Sequence, residues 1–349
     1  MRIFRLIVLT SLGLLTVREL SFAAANKKEL GKFSQKQIHE NAEDKLQHDS
    51  APPVTSQNNA TVPASGDFVG LIDIGAGRKM YLECSGSGSP TVILESGYRN
   101  NADIWKIELE PGRSPVFSQI AKFTRVCAYD RPGTFLDAKH LGRSTPVPMP
   151  RTARGLVSDL HALLETAHVS GPYVFAAHSF GGIFARLYAS TYPNEVVGMV
   201  LVDALSEEVK TGLTPEQWKL YVDFGFTKPS PGLEKYKDIE TLDVNASMDQ
   251  MKKAGSTEPL RPMPLFVLTQ GQPFDLSPWQ PLPVDFPAAL NKAWHAAQDG
   301  LATLAPNAKH KTATKSSHYI QAQEPQLVVD AIKQVVEAVR NPSAWTTAQ

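Results

Sequence analysis

Residues 171–189 read GPYVFAAHSFGGIFARLYA, an apolar run that passes through a serine into a second apolar run of different period. Tyr173, Val174, Phe175, Ala176 and Ala177 are continuously apolar, the pattern of a buried parallel strand. Ile183, Phe184, Leu187 and Tyr188 recur at helical spacing. A strand that becomes a helix within a few residues, with a serine at the corner, is a nucleophile elbow. Such a turn strains the serine backbone and lifts its hydroxyl out of the sheet. Small neighbours are required, because strand and helix pass close together. The usual spacing is G-x-S-x-G; here it is Ala177-His178-Ser179-Phe180-Gly181, so a methyl group replaces the first glycine hydrogen. The pattern predicts an exposed, reactive Ser179, with Phe180 supplying a free amide just after it.

The rest of the chain supplies the context that such a corner needs. Of 349 residues, 42% are hydrophobic and 20% charged, enough for one large α/β domain. The 35 basic and 35 acidic residues cancel, which excludes a strongly basic nucleic-acid binder. At the N-terminus, Arg2 and Arg5 precede an apolar run over 6–17, and Ala23, Ala24 and Ala25 follow. This predicts a secretory signal peptide over 1–25, with an uncleaved anchor as the alternative. The expected address is therefore periplasmic or extracellular, with no stable membrane association after cleavage. Residues 26–66 are polar and unpatterned, and predict a flexible linker.

Strands are predicted over 68–74, 79–84, 91–94, 125–129, 173–177, 196–202, 264–269 and 311–315. Helices are predicted over 152–167, 287–304 and 327–339. Alternating strands and helices imply a mostly parallel sheet covered on both faces. Between the sixth and seventh strands, about 205–261, lies a polar insertion with helical pieces over 214–224 and 246–254. An insertion of that size reads as a small helical lid.

A serine hydroxyl needs a base within hydrogen-bond reach, and the base needs a carboxylate to fix its tautomer. His318, in the loop after the last strand, is the best placed of the nine histidines. His178 adjoins the serine, but its side chain leaves the strand on another side; it reads as a packing or loop-bracing residue. Two carboxylates compete for the third role. Asp275 lies in the loop after the seventh strand and is favoured by a small margin; Asp203 ends the sixth. After the third strand, Gly97 frees the amide of Tyr98, which pairs with that of Phe180 as an oxyanion hole. Glu95, Arg99 and Asn100 read either as substrate contacts or as an ordinary loop-mouth ion pair, and Asp130 and Arg131 as braces.

These stretches together resemble the α/β-hydrolase family: LESG at 94–97, YDRPG at 129–133, AHSFGG at 177–182, VLVDA at 200–204 and SHYI at 317–320. The resemblance runs from about residue 69 to 339. It implies an α/β-hydrolase fold over 67–340, with an eight-stranded, mostly parallel sheet and the order Ser…Asp…His along the chain. It implies hydrolysis of a small-molecule ester, amide or thioester through an acyl-enzyme, with neither cofactor nor metal. Relatives with haloalkane or epoxide chemistry carry aspartate at the elbow, where this chain has Ser179. The family fold also sets the second strand beside the fourth. Cys84 and Cys127 would then be neighbours, either as a disulfide or, more commonly for buried cysteines, as free thiols. Two other functions fit the same scaffold. One is a non-catalytic binding protein. The other is a proline-releasing aminopeptidase, which would need a lid carboxylate cluster drawn from Glu234, Asp238, Glu240 and Asp243, residues that otherwise read as a solvated acidic face.

Overall fold

The structure is a computed structural model and describes residues 62–109, 112–136, 140–227, 235–279 and 281–345. The predicted signal peptide and nearly all of the predicted linker lie outside these residues, as does Glu234. Packing begins a few residues earlier than the sequence suggests. Val62 is buried and its N–H donates to the carbonyl of Ala167 at 3.0 Å.

In chain order the strands and helices are β1 (Phe68–Asp73), β2 (Lys79–Ser85), β3 (Thr91–Glu95), α1 (Val116–Ile120), β4 (Val126–Tyr129), α2 (Ala153–Thr166), β5 (Tyr173–His178), α3 (Gly181–Thr191) and β6 (Val196–Val202). There follow α4 (Glu208–Thr211), α5 (Pro215–Val222), α6 (Val244–Thr257), β7 (Leu265–Gln270), α7 (Phe286–Leu301), β8 (Lys309–Ala313), α8 (Ile320–Gln323) and α9 (Pro325–Arg340). The strands form one eight-stranded sheet in the order β1-β2-β4-β3-β5-β6-β7-β8. Only β2 runs against its neighbours; every pair from β4 through β8 is parallel. This is an α/β-hydrolase fold with the predicted strand count.

Alternation along β6 explains why both faces must be covered. Met199 and Leu201 enter a contiguous apolar cluster with α2, α3 and α7. Gly198 faces the other way, onto α9, where an added Cβ would lie 2.6 Å from Val335 Cγ1. That face is closed by Val328, Ile332, Val335 and Val336, the stripe predicted for the closing helix. β8 ends the sheet with Lys309 and Lys311, charges that blunt an edge strand.

Cys84 and Cys127 form a disulfide, directly opposite each other in the β2–β4 register. The pair is therefore bonded, and the free-thiol alternative is set aside. The reason is geometric: antiparallel register puts the two Cα atoms 4.1 Å apart. The bond closes a loop between positions 43 residues apart. Loop entropy then predicts that the double variant Cys84→Ser/Cys127→Ser loses about 4 kcal/mol of stability. Urea unfolding of the variant against the oxidised wild type measures it; coincident midpoints would refute the expectation.

Candidate active site

Every residue of β5 is buried, and the chain leaves it through Ser179 at φ 54°, in the left-handed region that non-glycine residues avoid. The two glycines that follow have steric reasons. A Cβ on Gly181 would lie 2.8 Å from the carbonyls of Glu95 and Ser96, and one on Gly182 2.5 Å from Ala204 Cβ. Ala177 escapes this crowding. It is still a strand residue, in register with Glu95 and Leu201, where a methyl group is ordinary core. The departure from G-x-S-x-G thus falls where glycine is not needed.

The elbow brings three distant side chains into line. His318 Nε2 lies 2.9 Å from Ser179 Oγ, and His318 Nδ1 lies 2.6 Å from Asp203 Oδ2. The loop bearing His318 is fixed on both sides. The carbonyl of Ser316 accepts the N–H groups of Gly271 and Gln272, and Ser317 N–H donates to Gln323 Oε1.

The carboxylate beside the imidazole is Asp203, and the margin given to Asp275 is corrected. Asp275 is exposed and accepts the N–H of Ser277 within its own loop. Its neighbour Phe274, not Asp275, faces the imidazole, with ring centroids 5.2 Å apart. Asp203 is wholly buried, so its charge needs compensation. Its Oδ1 accepts Gln270 N–H at 3.0 Å and Trp294 Nε1–H at 2.9 Å, while Oδ2 meets the imidazole. At φ 43° its backbone is also left-handed.

Opposite the elbow, the chain passes so close that only glycine fits. A Cβ on Gly97 would sit 3.0 Å from Ser179 Cβ and 2.9 Å from His178 Nδ1. The requirement here is close approach rather than an unusual turn. The close approach sets the Gly97–Tyr98 peptide beside Ser179, and neither the Tyr98 nor the Phe180 amide donates to a backbone carbonyl among the described residues. Both side chains pack on Phe226, with ring centroids 5.0 and 5.4 Å away. Tyr98 Oη–H also donates to the Phe226 carbonyl at 2.9 Å. Phe226 belongs to a π-helical turn, Asp223–Thr227, that continues α5 in the insertion between β6 and β7.

His178 braces this arrangement. Its ring is buried, and Nε2 lies 2.9 Å from the carbonyl of His318. A carbonyl only accepts, so Nε2 carries the proton and Nδ1 holds a lone pair with no partner. Burial first, and then the adjacent His318, hold this imidazole well below the usual histidine range. The unfolded chain therefore binds the extra proton more readily than the folded one. The associated stability is complete above about pH 6.5 and is lost below it by up to about 1.4 kcal/mol per pH unit. Melting temperatures taken between pH 7.5 and pH 5 should fall more steeply for wild type than for His178→Gln, which keeps a donor but cannot titrate; parallel curves would exclude this origin.

Of the acidic residues in the insertion, Asp238 and Asp243 are exposed, as an acidic face requires, and Glu240 departs from it. Glu240 is wholly buried and binds Arg131 Nε at 2.6 Å, while its second oxygen accepts the Arg99 amide. Asp243 accepts the N–H of Ala246 at the start of α6. The bonds to Arg131 and to the Arg99 amide withdraw Glu240 from any substrate ammonium. Glu95 is buried beside Glu240 and Arg131 rather than at a loop mouth, and burial raises its pKa against the pull of Arg131. Among the described residues, no group of three or more His, Cys, Asp or Glu is placed to hold a metal ion.

Comparison with known proteins bears on the same region. Residues 92–331 match the model of the "Alpha/beta hydrolase family". Uncharacterized protein YqjL of Bacillus subtilis (strain 168) is 26% identical over 251 residues, covering 72% of this chain and 85% of its own. An AB hydrolase superfamily protein of Gibberella zeae is 26% identical over 300 residues, covering 72% and 87%. Among solved structures, the haloalkane dehalogenase DatA of Agrobacterium tumefaciens C58 superimposes with a TM-score of 0.53 at 15% identity, covering 78% of this chain and 97% of its own. A thermophilic esterase of Thermogutta terrifontis gives 0.51 at 16% identity, covering 78% and 99%. At these identities the structural likeness speaks for the fold alone.

Proposed function

Given that the chain belongs to the alpha/beta hydrolase family, we propose that it is a serine hydrolase cleaving a small-molecule ester, amide or thioester through an acyl-enzyme. The observation that carries this reading is the unbroken chain from Ser179 Oγ through His318 to Asp203. Ser179 Oγ attacks the substrate carbonyl while its proton passes to His318 Nε2. Asp203 holds Nδ1–H and stabilises the imidazolium. The tetrahedral oxyanion is received by the amides of Tyr98 and Phe180. Collapse expels the alcohol, amine or thiol, which takes the proton from Nε2. Water, deprotonated by the same imidazole, then releases the acid and restores Ser179.

The dehalogenase similarity does not extend to this chemistry, because the nucleophile position holds serine. A proline-releasing aminopeptidase is less favoured, since Glu240, the buried acid among those candidates, is already engaged by Arg131. The aromatic surroundings, with Phe226 packed on the rings of Tyr98 and Phe180 and Phe274 on the imidazole, suit an apolar acyl or alcohol group. We read the insertion as the lid of this site. The disulfide also fits export to an oxidising compartment, which fractionation of cells carrying the tagged chain would test.

A panel of p-nitrophenyl esters from acetate to octanoate, run beside covalent labelling with a fluorophosphonate, tests the reading. Turnover of at least one ester together with labelling at Ser179 is expected. An intact fold with neither would mark a binding protein on this scaffold.

A further inference from the structure

Arg131 follows β4 and is wholly enclosed, yet all five of its N–H bonds find acceptors. Nη1 donates to Glu95 Oε1 at 2.7 Å and to the Ser96 carbonyl at 2.8 Å. Nη2 donates to the Gly97 carbonyl at 2.7 Å and to Glu240 Oε2 at 3.2 Å, and Nε to Glu240 Oε1 at 2.6 Å. Tyr129 Oη–H closes the cluster by donating to Glu95 Oε2. Enclosing an arginine and two glutamates is costly, and an apolar filling of the same volume often stabilises a fold as well or better. Such a cluster therefore invites a reason beyond stability.

The reason lies in the bond to Gly97. Its carbonyl belongs to the same peptide unit as the Tyr98 N–H. A trans peptide is planar, with C=O and N–H pointing in opposite directions. The carbonyl is held from two sides, by Arg131 Nη2 at 2.7 Å and by Asn100 N–H at 3.1 Å. Fixing that oxygen fixes the plane, and so the direction of the Tyr98 N–H. A cationic donor on the carbonyl also polarises the amide, which makes its N–H a stronger donor. The two carboxylates aim the guanidinium: Glu95 from the end of β3 and Glu240 from the insertion.

We propose that Arg131 is a positioning residue for oxyanion stabilisation, acting through the Gly97–Tyr98 peptide to aim and strengthen the Tyr98 N–H. This role rests on the acyl-transfer reading above. It predicts a loss confined to states that carry an oxyanion, since substrate carbonyls gain little from a donor aimed at the tetrahedral oxygen.

The test is hydrolysis of p-nitrophenyl butyrate by wild type, Arg131→Lys and Arg131→Gln. Alongside it runs inhibition by phenylboronic acid, which forms a tetrahedral adduct on the serine, and by butyrate, which does not. For Arg131→Gln, kcat is expected to fall about 10²-fold and boronate affinity in step, with KM and butyrate inhibition nearly unchanged. Arg131→Lys should lie between, because an ammonium keeps the charge but cannot span both carbonyls. If Arg131→Gln does not fold, Arg131→Gln/Glu240→Gln, which removes a stranded carboxylate as well, carries the same comparison. A folded variant with kcat and boronate affinity at wild-type levels overturns the role. So does a uniform loss in which KM and butyrate binding worsen as much as kcat. A wild type that neither hydrolyses the ester nor reacts with a fluorophosphonate overturns the acyl-transfer reading itself, and this role with it.

Discussion

Ser179→Ala is expected to lower ester turnover by about 10⁶-fold in kcat and to abolish fluorophosphonate labelling, with the melting temperature nearly unchanged. The size follows from the chemistry: no other group in line with His318 can form the acyl bond. The fold should tolerate the change. Ser179 holds its place through its backbone, whose N–H donates to the Val202 carbonyl and whose carbonyl accepts from Gly182 and Leu205. Alanine keeps all of these and loses only the bond to His318. Labelling retained at another residue of the alanine variant would refute the assignment of the nucleophile.

The second expectation separates two aspartates that the sequence left in competition. Asp203→Asn should lower kcat by about 10⁴-fold, whereas Asp275→Asn should leave it within about 2-fold. Trp294 Nε1 and Gln270 N–H both donate to Asp203 Oδ1, so an asparagine there would keep its carbonyl oxygen on that side. Its NH₂ would then face His318 Nδ1 and make that nitrogen an acceptor. The imidazole proton would move to Nε2, which could no longer accept the seryl proton. Among the described residues, Asp275 has only the N–H of Ser277 to lose. A kinetic penalty for Asp275→Asn equal to that of Asp203→Asn would reverse the assignment.

Why the acid was hard to read is physical. The serine and the imidazole each sit in a local pattern, strand–corner–helix for one and strand–loop–helix for the other. The carboxylate is specified by what surrounds it, and Trp294, Gln270 and His318 converge on Asp203 from three separate elements. Only the enclosure of Asp203 at the end of an apolar strand hinted at a partner. Eight strands and the major helices were legible because their periodicity is local. The short pieces α1, α4 and α8 carry too few residues to show a period. The disulfide depended on β2–β4 register, which spacing alone does not give. Glu95, Arg131 and Glu240 looked like ordinary loop charges because the partners come from three separate segments. That Tyr129, Asp130 and Arg131 are followed by Pro and Gly marked a turn, but nothing local said that its arginine reaches the loop opposite.

Glu240 gives this hydrolase a constraint that bears on anyone who would rebuild it. The segment between β6 and β7 is the natural place to splice in a foreign cap to change what the molecule accepts. Here that segment also delivers a carboxylate to the guanidinium that holds the Gly97 carbonyl. A transplanted cap without an acid at this spot would leave Arg131 with one counter-charge instead of two, free to swing away from Gly97. Chimeras should therefore be cut on the far side of Glu240, or carry a glutamate of their own to the same place.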